Sequence, residues 1–445
     1  MFSFPKNLYT DVRIEEVFEG KISYLNGSIE ENKVRNYTGA FIRIYDGEKW
    51  YYCSTSDVDN IQKEIEQLSL MAKPSEKIYD NEIVKKLQVN EGEYLVFQKD
   101  SIRNINKEEK ENILKDLFPV VTSKKEVKMW KAQYLETLKI KSFYSSKGSN
   151  VKHDYQSVAV ALSFSLADGE KTFDGNFQKA SNFFKDIVNE KENLEKRLDE
   201  SIYFMKSATE ISPGEYTVVL SPLAAGVFAH ESFGHKSEAD FMVGDETMKR
   251  EWAIGTKVGS EILSIIDSGN IMGSGYVPYD DEGTKASKTY LIEKGILKGR
   301  LHSGYTAASL EEAVTGNARA MNFEYEPIVR MTTTYIEPGK YSKEELISEV
   351  QEGLLIETIN HGSGMSTFTL APSLAYKIKD GKISDPVKIS VITGTVFDTL
   401  NNIDGLSNEL EILAFATGGC GKMEQWPLNV GFGGPYVRVK NMNVQ

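Results

Sequence analysis

The sequence predicts an α+β protein in two parts. An N-terminal α/β region, residues 1–212, carries an antiparallel sheet and helices, and a C-terminal region, residues 213–445, is β-rich. Three observations lead there. Apolar β-type runs flank an Asp46-Gly47 turn. A breaker cluster, Ile211-Ser212-Pro213-Gly214-Glu215, interrupts the chain near its middle. Beyond residue 255, Gly-rich turns separate short apolar or alternating runs.

Taken in order, Asp11–Cys53 reads as strands, with Gly39–Tyr45 and Trp50–Cys53 as the arms of a hairpin. Residues 56–72 are helical, since Val58, Ile61, Ile65 and Leu68 recur three and four apart. Residues 104–142, rich in Lys and Glu, read as amphipathic helix with Ile113, Leu114, Leu117 and Phe118 on one face. Strands resume at Ile140–Tyr144 and Tyr155–Ser165, and Phe177–Thr209 reads as one or more helices. Tyr216–Leu220 is a short buried strand. Ser221 then caps a helix with Pro222 at its first position. Further strands fall at Ser287–Ile292, Ile328–Tyr335, Ser373–Ile378, Ile389–Val396 and Tyr436–Val439.

Composition excludes several classes. The 52 basic and 65 acidic residues leave a formal charge of −13, the wrong sign for a nucleic-acid binder. No apolar run approaches a membrane span, and the N-terminus shows no apolar signal-peptide core. Two cysteines far apart, Cys53 and Cys420, make a disulfide framework unexpected. A cytoplasmic location is the expectation.

Chemistry concentrates in His230-Glu231-Ser232-Phe233-Gly234-His235, within a chain of five histidines. A zinc hydrolase needs imidazole ligands and a carboxylate that takes a proton from metal-bound water. In a regular helix, residues five apart point about 140° apart and cannot grip one ion. Sharing a metal therefore requires either a π-bulge, which adds a residue to the turn, or a helix loosened or ended at Gly234. A catalytic zinc takes three protein ligands. Cys420, in the loop Ala416-Thr417-Gly418-Gly419-Cys420-Gly421-Lys422, is the candidate third, against the alternative of a small packed hydrophobe. Cys53 reads as core. His302 and His361 are open between a further ligand, an oxyanion donor and no role. His153 has no supporting context.

The motif helix and Cys420 resemble the TldD/PmbA family of zinc peptidases, in its metal-bearing TldD type. The stretches Asp280–Thr284, Thr315–Arg319, Pro327–Tyr335 and Gly418–Lys422 carry the resemblance in the family's order, and the Gly39–Cys53 hairpin resembles it more loosely. It implies zinc held by His230, His235 and Cys420, with Glu231 as general base. It also implies a dimer, either a homodimer or a heterodimer with a TldE/PmbA-like paralogue. Unfolded peptides or small proteins would enter as an added β-strand. Thr315–Arg319 and His361–Ser366 are candidate substrate loops. Two competing readings stand beside this one. The first is a non-catalytic peptide-binding or scaffolding subunit. The second is a hydrolase of the dipeptidyl peptidase III type, whose glutamate-bearing second helix is not found in this sequence.

Overall fold

The computed structural model describes residues 2–415 and 417–445, so Ala416 of the predicted cysteine loop lies outside the described residues. The N-terminal half is built on long strands: β1 (Tyr9–Leu25), β2 (Ser28–Tyr45), β3 (Trp50–Thr55), β4 (Glu91–Tyr94), β5 (Val127–Ser145), β6 (Asn150–Asp168) and β7 (Lys171–Ser181). They form one sheet in the order β3-β2-β1-β5-β6-β4, and β7 also pairs with β6. The β2–β3 turn forms where the sequence placed it. Gly47 takes φ +102°, and the Asp46 carboxylate accepts the Glu48 and Lys49 N–H groups at 2.9 and 2.8 Å.

Two helical expectations are corrected. Only Lys107–Lys115 and Phe118–Thr122 are helical within 104–142, and β5 begins at Val127. Trp130, Ala132, Tyr134, Glu136 and Leu138 are buried at every second position, the period of a strand. The buried Glu136, paired with Lys110 at 2.8 Å, sits where an apolar residue would have signalled the alternation. Likewise Phe177 belongs to β7, and the helix proper is Lys191–Ser207, packed through Leu194, Leu198 and Met205 into the core over the sheet.

The C-terminal half contains two larger sheets. In one, the strands Glu352–Gly364, Gly214–Leu220, Val437–Val444, Ile392–Thr395 and Thr367–Lys379 pair in that order, and the first also pairs with the last, closing a ring. Thr209–Glu210 already pairs with Val387–Lys388 of the same sheet, ahead of the breaker cluster. The other sheet includes Ile265–Ser268, Thr333–Ile336 and Gly431–Gly434. Ser221 caps the helix Pro222–Phe228 by accepting the Ala224 N–H at 3.3 Å, as the sequence indicated. Ala224, Ala225 and Phe228 enter a core shared with Val218, Ile356 and Leu370. The helix lies close on the second sheet: a Cβ on Gly226 would sit 2.6 Å from the Gly433 nitrogen.

Buried ion pairs join the halves. Arg43 meets Asp11 at 2.8 Å and Glu282 at 3.1 Å, and Lys141 meets Asp281 at 2.7 Å. Among the described residues, no helix is long and apolar enough to cross a membrane.

Candidate metal centre

The helix does not continue regularly into the motif. Ala229–Gly234 forms a π-helical segment, followed by a 3-10 turn at His235–Ser237. One extra residue per turn brings positions five apart onto one face. The Ser232 hydroxyl donates to the Phe228 carbonyl within this segment. Gly234 has ordinary helical angles, φ −56° and ψ −50°, so it neither loosens nor ends the helix. Its lack of a side chain leaves room for Met331, whose sulfur would lie 2.1 Å from an added Cβ.

The rings of His230 and His235 stand 5.0 Å apart, centroid to centroid. One ligand atom from each of His230, His235 and Cys420 can be chosen so that all three lie within 4.8 Å of one another. His235 Nε2 is 3.5 Å from the Cys420 sulfur. A tetrahedral zinc with ordinary Zn–N and Zn–S bonds separates such atoms by about 3.6 Å. The Nδ1 of buried His230 has no hydrogen-bond partner among the described residues. Two imidazoles and a thiolate suit a borderline-soft divalent ion, so these side chains fit zinc.

Electrostatics agree with the donor chemistry. Burial pushes the Cys420 thiol up, but His230 and His235 outweigh it and bring the thiol down to about 5. Burial also opposes charge on His235. Hydrogen bonds to Cys420 and Glu238 prevail and raise it to about 10. Burial holds the Glu231 carboxyl above its usual range, a direction that suits proton transfer near neutrality. Glu231 Oε2 lies 4.0 Å from His235 Nε2.

Glu238, not singled out in the sequence, orients the site. It is fully buried and 3.3 Å from His235 Nδ1, which leaves Nε2 free for a metal. Burial raises the Glu238 carboxyl, and His235 with Lys422 overcomes that and lowers it. Lys422, two residues after Cys420, meets Glu238 at 3.0 Å and Asp240 at 2.7 Å. The strand bearing one candidate ligand therefore neutralises the carboxylate that orients another. Arg330, with no exposed surface, donates to the Cys420 carbonyl at 2.6 Å.

The other sequence candidates fall in different places. His361 lines the cavity beside Glu231. Its segment is a strand end paired with Phe368–Ala371 rather than a loop. His302 is buried away from the cluster, 2.9 Å from Glu312 and 3.1 Å from Thr306. Thr315–Arg319 does not line the cavity. It braces the core, with Asn317 donating to Asp267 at 2.9 Å and Arg319 to the Asn429 carbonyl at 2.7 Å. His153 is buried in the N-terminal half, and Cys53 packs in the core between β3 and the first helix. Asp281 and Glu282 of the Asp280–Thr284 stretch belong to the ion pairs between the halves.

The centre opens into a cavity of about 670 Å³ between the halves, lined by β6, β7 and the 191–207 helix on one side and by 358–362 and the cysteine loop on the other. A helix-borne His-Glu pair, a distant cysteine and an adjoining cleft define the class: a protein with a His/His/Cys cluster that could hold a metal ion beside a cavity. Comparison with known proteins makes the class specific. A family model described as the PmbA/TldA metallopeptidase C-terminal domain matches residues 213–445, and one described as PmbA/TldA metallopeptidase domain 1 matches residues 10–72. The chain belongs to the TldD/PmbA family of metallopeptidases. It is 31% identical to a metalloprotease of Methanocaldococcus jannaschii, over 97% of this chain and 95% of that one. It is 29% identical to a zinc metalloprotease TldD homolog of Saccharolobus solfataricus, over 98% and 96%. Among solved structures, TldE from Thermococcus kodakarensis shares the fold, with a TM-score of 0.75 at 18% identity over 98% of this chain and 96% of that one.

Proposed function

We propose that the protein is a zinc-dependent peptidase acting on unfolded peptides or small proteins. One observation carries the reading: His230, His235 and Cys420 cluster beside a cleft that His230, Cys420 and Glu231 line. In this reading the two imidazoles and the thiolate hold the ion. Zinc, when bound, supplies Lewis acidity and a lowered water pKa. Glu231 takes the proton from the attacking water and returns it to the leaving amine. Glu238 keeps His235 in the tautomer that presents Nε2. Strand residues line both walls, 175–178 of β7 and 358–362 opposite, which supports binding of an extended peptide through its main chain. Such pairing reads backbone rather than side chains and suits unfolded substrates. The protein acts as a dimer, with itself or with a TldE/PmbA-like paralogue. Membership of the TldD/PmbA family is the ground for that assembly.

The test uses purified protein, zinc counted by mass spectrometry, and an unstructured peptide. Wild type cleaves it, and Glu231→Ala retains zinc but loses roughly 10²- to 10⁴-fold in rate. Equal cleavage by both proteins would remove Glu231 from the mechanism. Peptide binding without zinc or cleavage would favour a scaffolding subunit.

A further inference from the structure

The cavity wall away from the metal ligands carries charge that the peptidase reading leaves unused. Among the described residues lining the cavity, Arg197 and Glu231 are the two Asp, Glu, Lys or Arg side chains. Arg197, on the 191–207 helix, is half-buried and has no ion pair or hydrogen bond among the described residues. Two of its acidic neighbours are engaged elsewhere, since Glu195 and Asp199 both pair with Lys124, at 3.3 and 2.6 Å; Glu200, 3.9 Å from Lys196, also acts on the Tyr376 hydroxyl. Ser201 follows four residues later, on the same helix face, and also lines the cavity. It is 1% exposed, and its hydroxyl has no hydrogen-bond partner among the described residues. Buried hydroxyls are ordinarily satisfied, so this one awaits an acceptor. A guanidinium and a hydroxyl one turn apart are the donors that bind a carboxylate.

Resting on the peptidase reading, we propose that Arg197 and Ser201 form a carboxylate subsite that anchors the substrate peptide and sets where it is cut. The carboxylate comes from an acidic side chain or from the peptide's free C-terminus, since both present the same two oxygens. The hairpin opposite gives the spacing. Arg197 is close enough to Tyr376 to act on its hydroxyl; Tyr376 pairs with Leu355 and Leu374 with Thr358, so of the cavity-lining hairpin the Thr358 end is the nearer one. Gly362 sits at the other end, where an added Cβ would lie 3.5 Å from Glu231 Cγ. Four residue steps separate Thr358 from Gly362, and register shifts at Thr358, Ile359 and His361 hold the path to at most about 13 Å. The anchored carboxylate therefore belongs a few residues from the cleaved bond.

The test uses the full-length, zinc-loaded protein and unstructured peptides in which a single glutamate is moved along the sequence. Each is matched by its glutamine counterpart. A second series compares free and amidated C-termini at increasing length, which separates the two sources of carboxylate. Cleavage is read as kcat/KM, and binding is read by fluorescence anisotropy on Glu231→Gln protein. The acid form is preferred about tenfold or more at one spacing, in binding and in turnover. That ratio falls towards one in Arg197→Gln, and part of it survives in Arg197→Lys, which keeps the charge without the fork. Ser201→Ala lowers it by a few-fold. A wild-type ratio near one at every spacing and both termini would overturn the subsite, as would a ratio unchanged in Arg197→Gln. If no peptide is cleaved, the peptidase reading fails on its own, and the anisotropy ratio still decides the subsite.

Discussion

Two buried clusters of ionisable side chains can be compared directly. One joins the halves through Asp11, Arg13, Glu15, Arg43, Lys141, Asp281 and Glu282. The other is the candidate centre at His230, Glu231, His235 and Cys420. Both are withdrawn from water, and both contain strongly shifted groups. Burial acts first on Asp281, yet Lys141 and Arg13 hold its carboxyl far below the usual range. The difference lies in what each charge faces. In the first cluster cations meet carboxylates, and Asp281 also accepts the Ala320 N–H at 2.7 Å. In the second, an imidazole nitrogen is unpartnered, the thiolate faces donors that a metal could replace, and His230, Glu231 and Cys420 line a cleft. A perturbed pKa in a buried cluster therefore does not mark a functional site by itself. What sets the second cluster apart is that metal-ligand donor atoms converge beside a cavity.

Substitutions can break or sharpen that contrast. The largest expected effect is on Cys420→Ala, which removes one of three candidate ligands. Zinc content falls from near one per chain towards zero while circular dichroism is unchanged, and retained zinc would place the third ligand elsewhere. Arg43→Met acts on the other cluster and leaves Asp11 and Glu282 facing each other unpaired. Urea unfolding should show a loss of about 3–5 kcal/mol with zinc stoichiometry unaltered. A change in zinc content there would mean the clusters are coupled. Glu238→Gln removes the carboxylate behind His235 and should weaken zinc binding about 10- to 100-fold in a competitive chelator titration.

The last prediction concerns pH. Burial first, and then Lys141, lowers the pKa of His153 from 6.5 to about 3. Because its folded pKa is depressed, the unfolded chain takes up the proton first as pH falls. The contribution of neutral His153 is complete above pH 6.5 and is lost between there and about pH 3. The loss is about 1.4 kcal/mol per pH unit in that window. His153→Gln should flatten this part of the acid limb in denaturation curves taken at a series of pH values.

The sequence carried much of the candidate centre and less of its surroundings. The His230–His235 spacing was readable because helix geometry forces a choice between a shared ion and a regular turn. The π-helical segment is one of the two solutions the register allowed. The role expected of Gly234 was not the one found, because its constraint comes from Met331, nearly a hundred residues away in the chain. Glu238 follows His235 by three residues, yet its importance depends on Lys422 arriving from the far end of the chain. The 191–207 helix could be read for its apolar face. That Arg197 and Ser201 face a cleft follows only from how the halves pack. Strand β5 was read as helix because its Lys and Glu residues concealed a two-residue period that includes the buried Glu136.

X-ray absorption at the zinc edge of the loaded wild-type protein tests the centre most directly. The three-ligand arrangement predicts one sulfur near about 2.3 Å and nitrogen or oxygen scatterers near about 2.0 Å, with the sulfur absent from any zinc retained by Cys420→Ala. A zinc shell without sulfur in the wild type would contradict it.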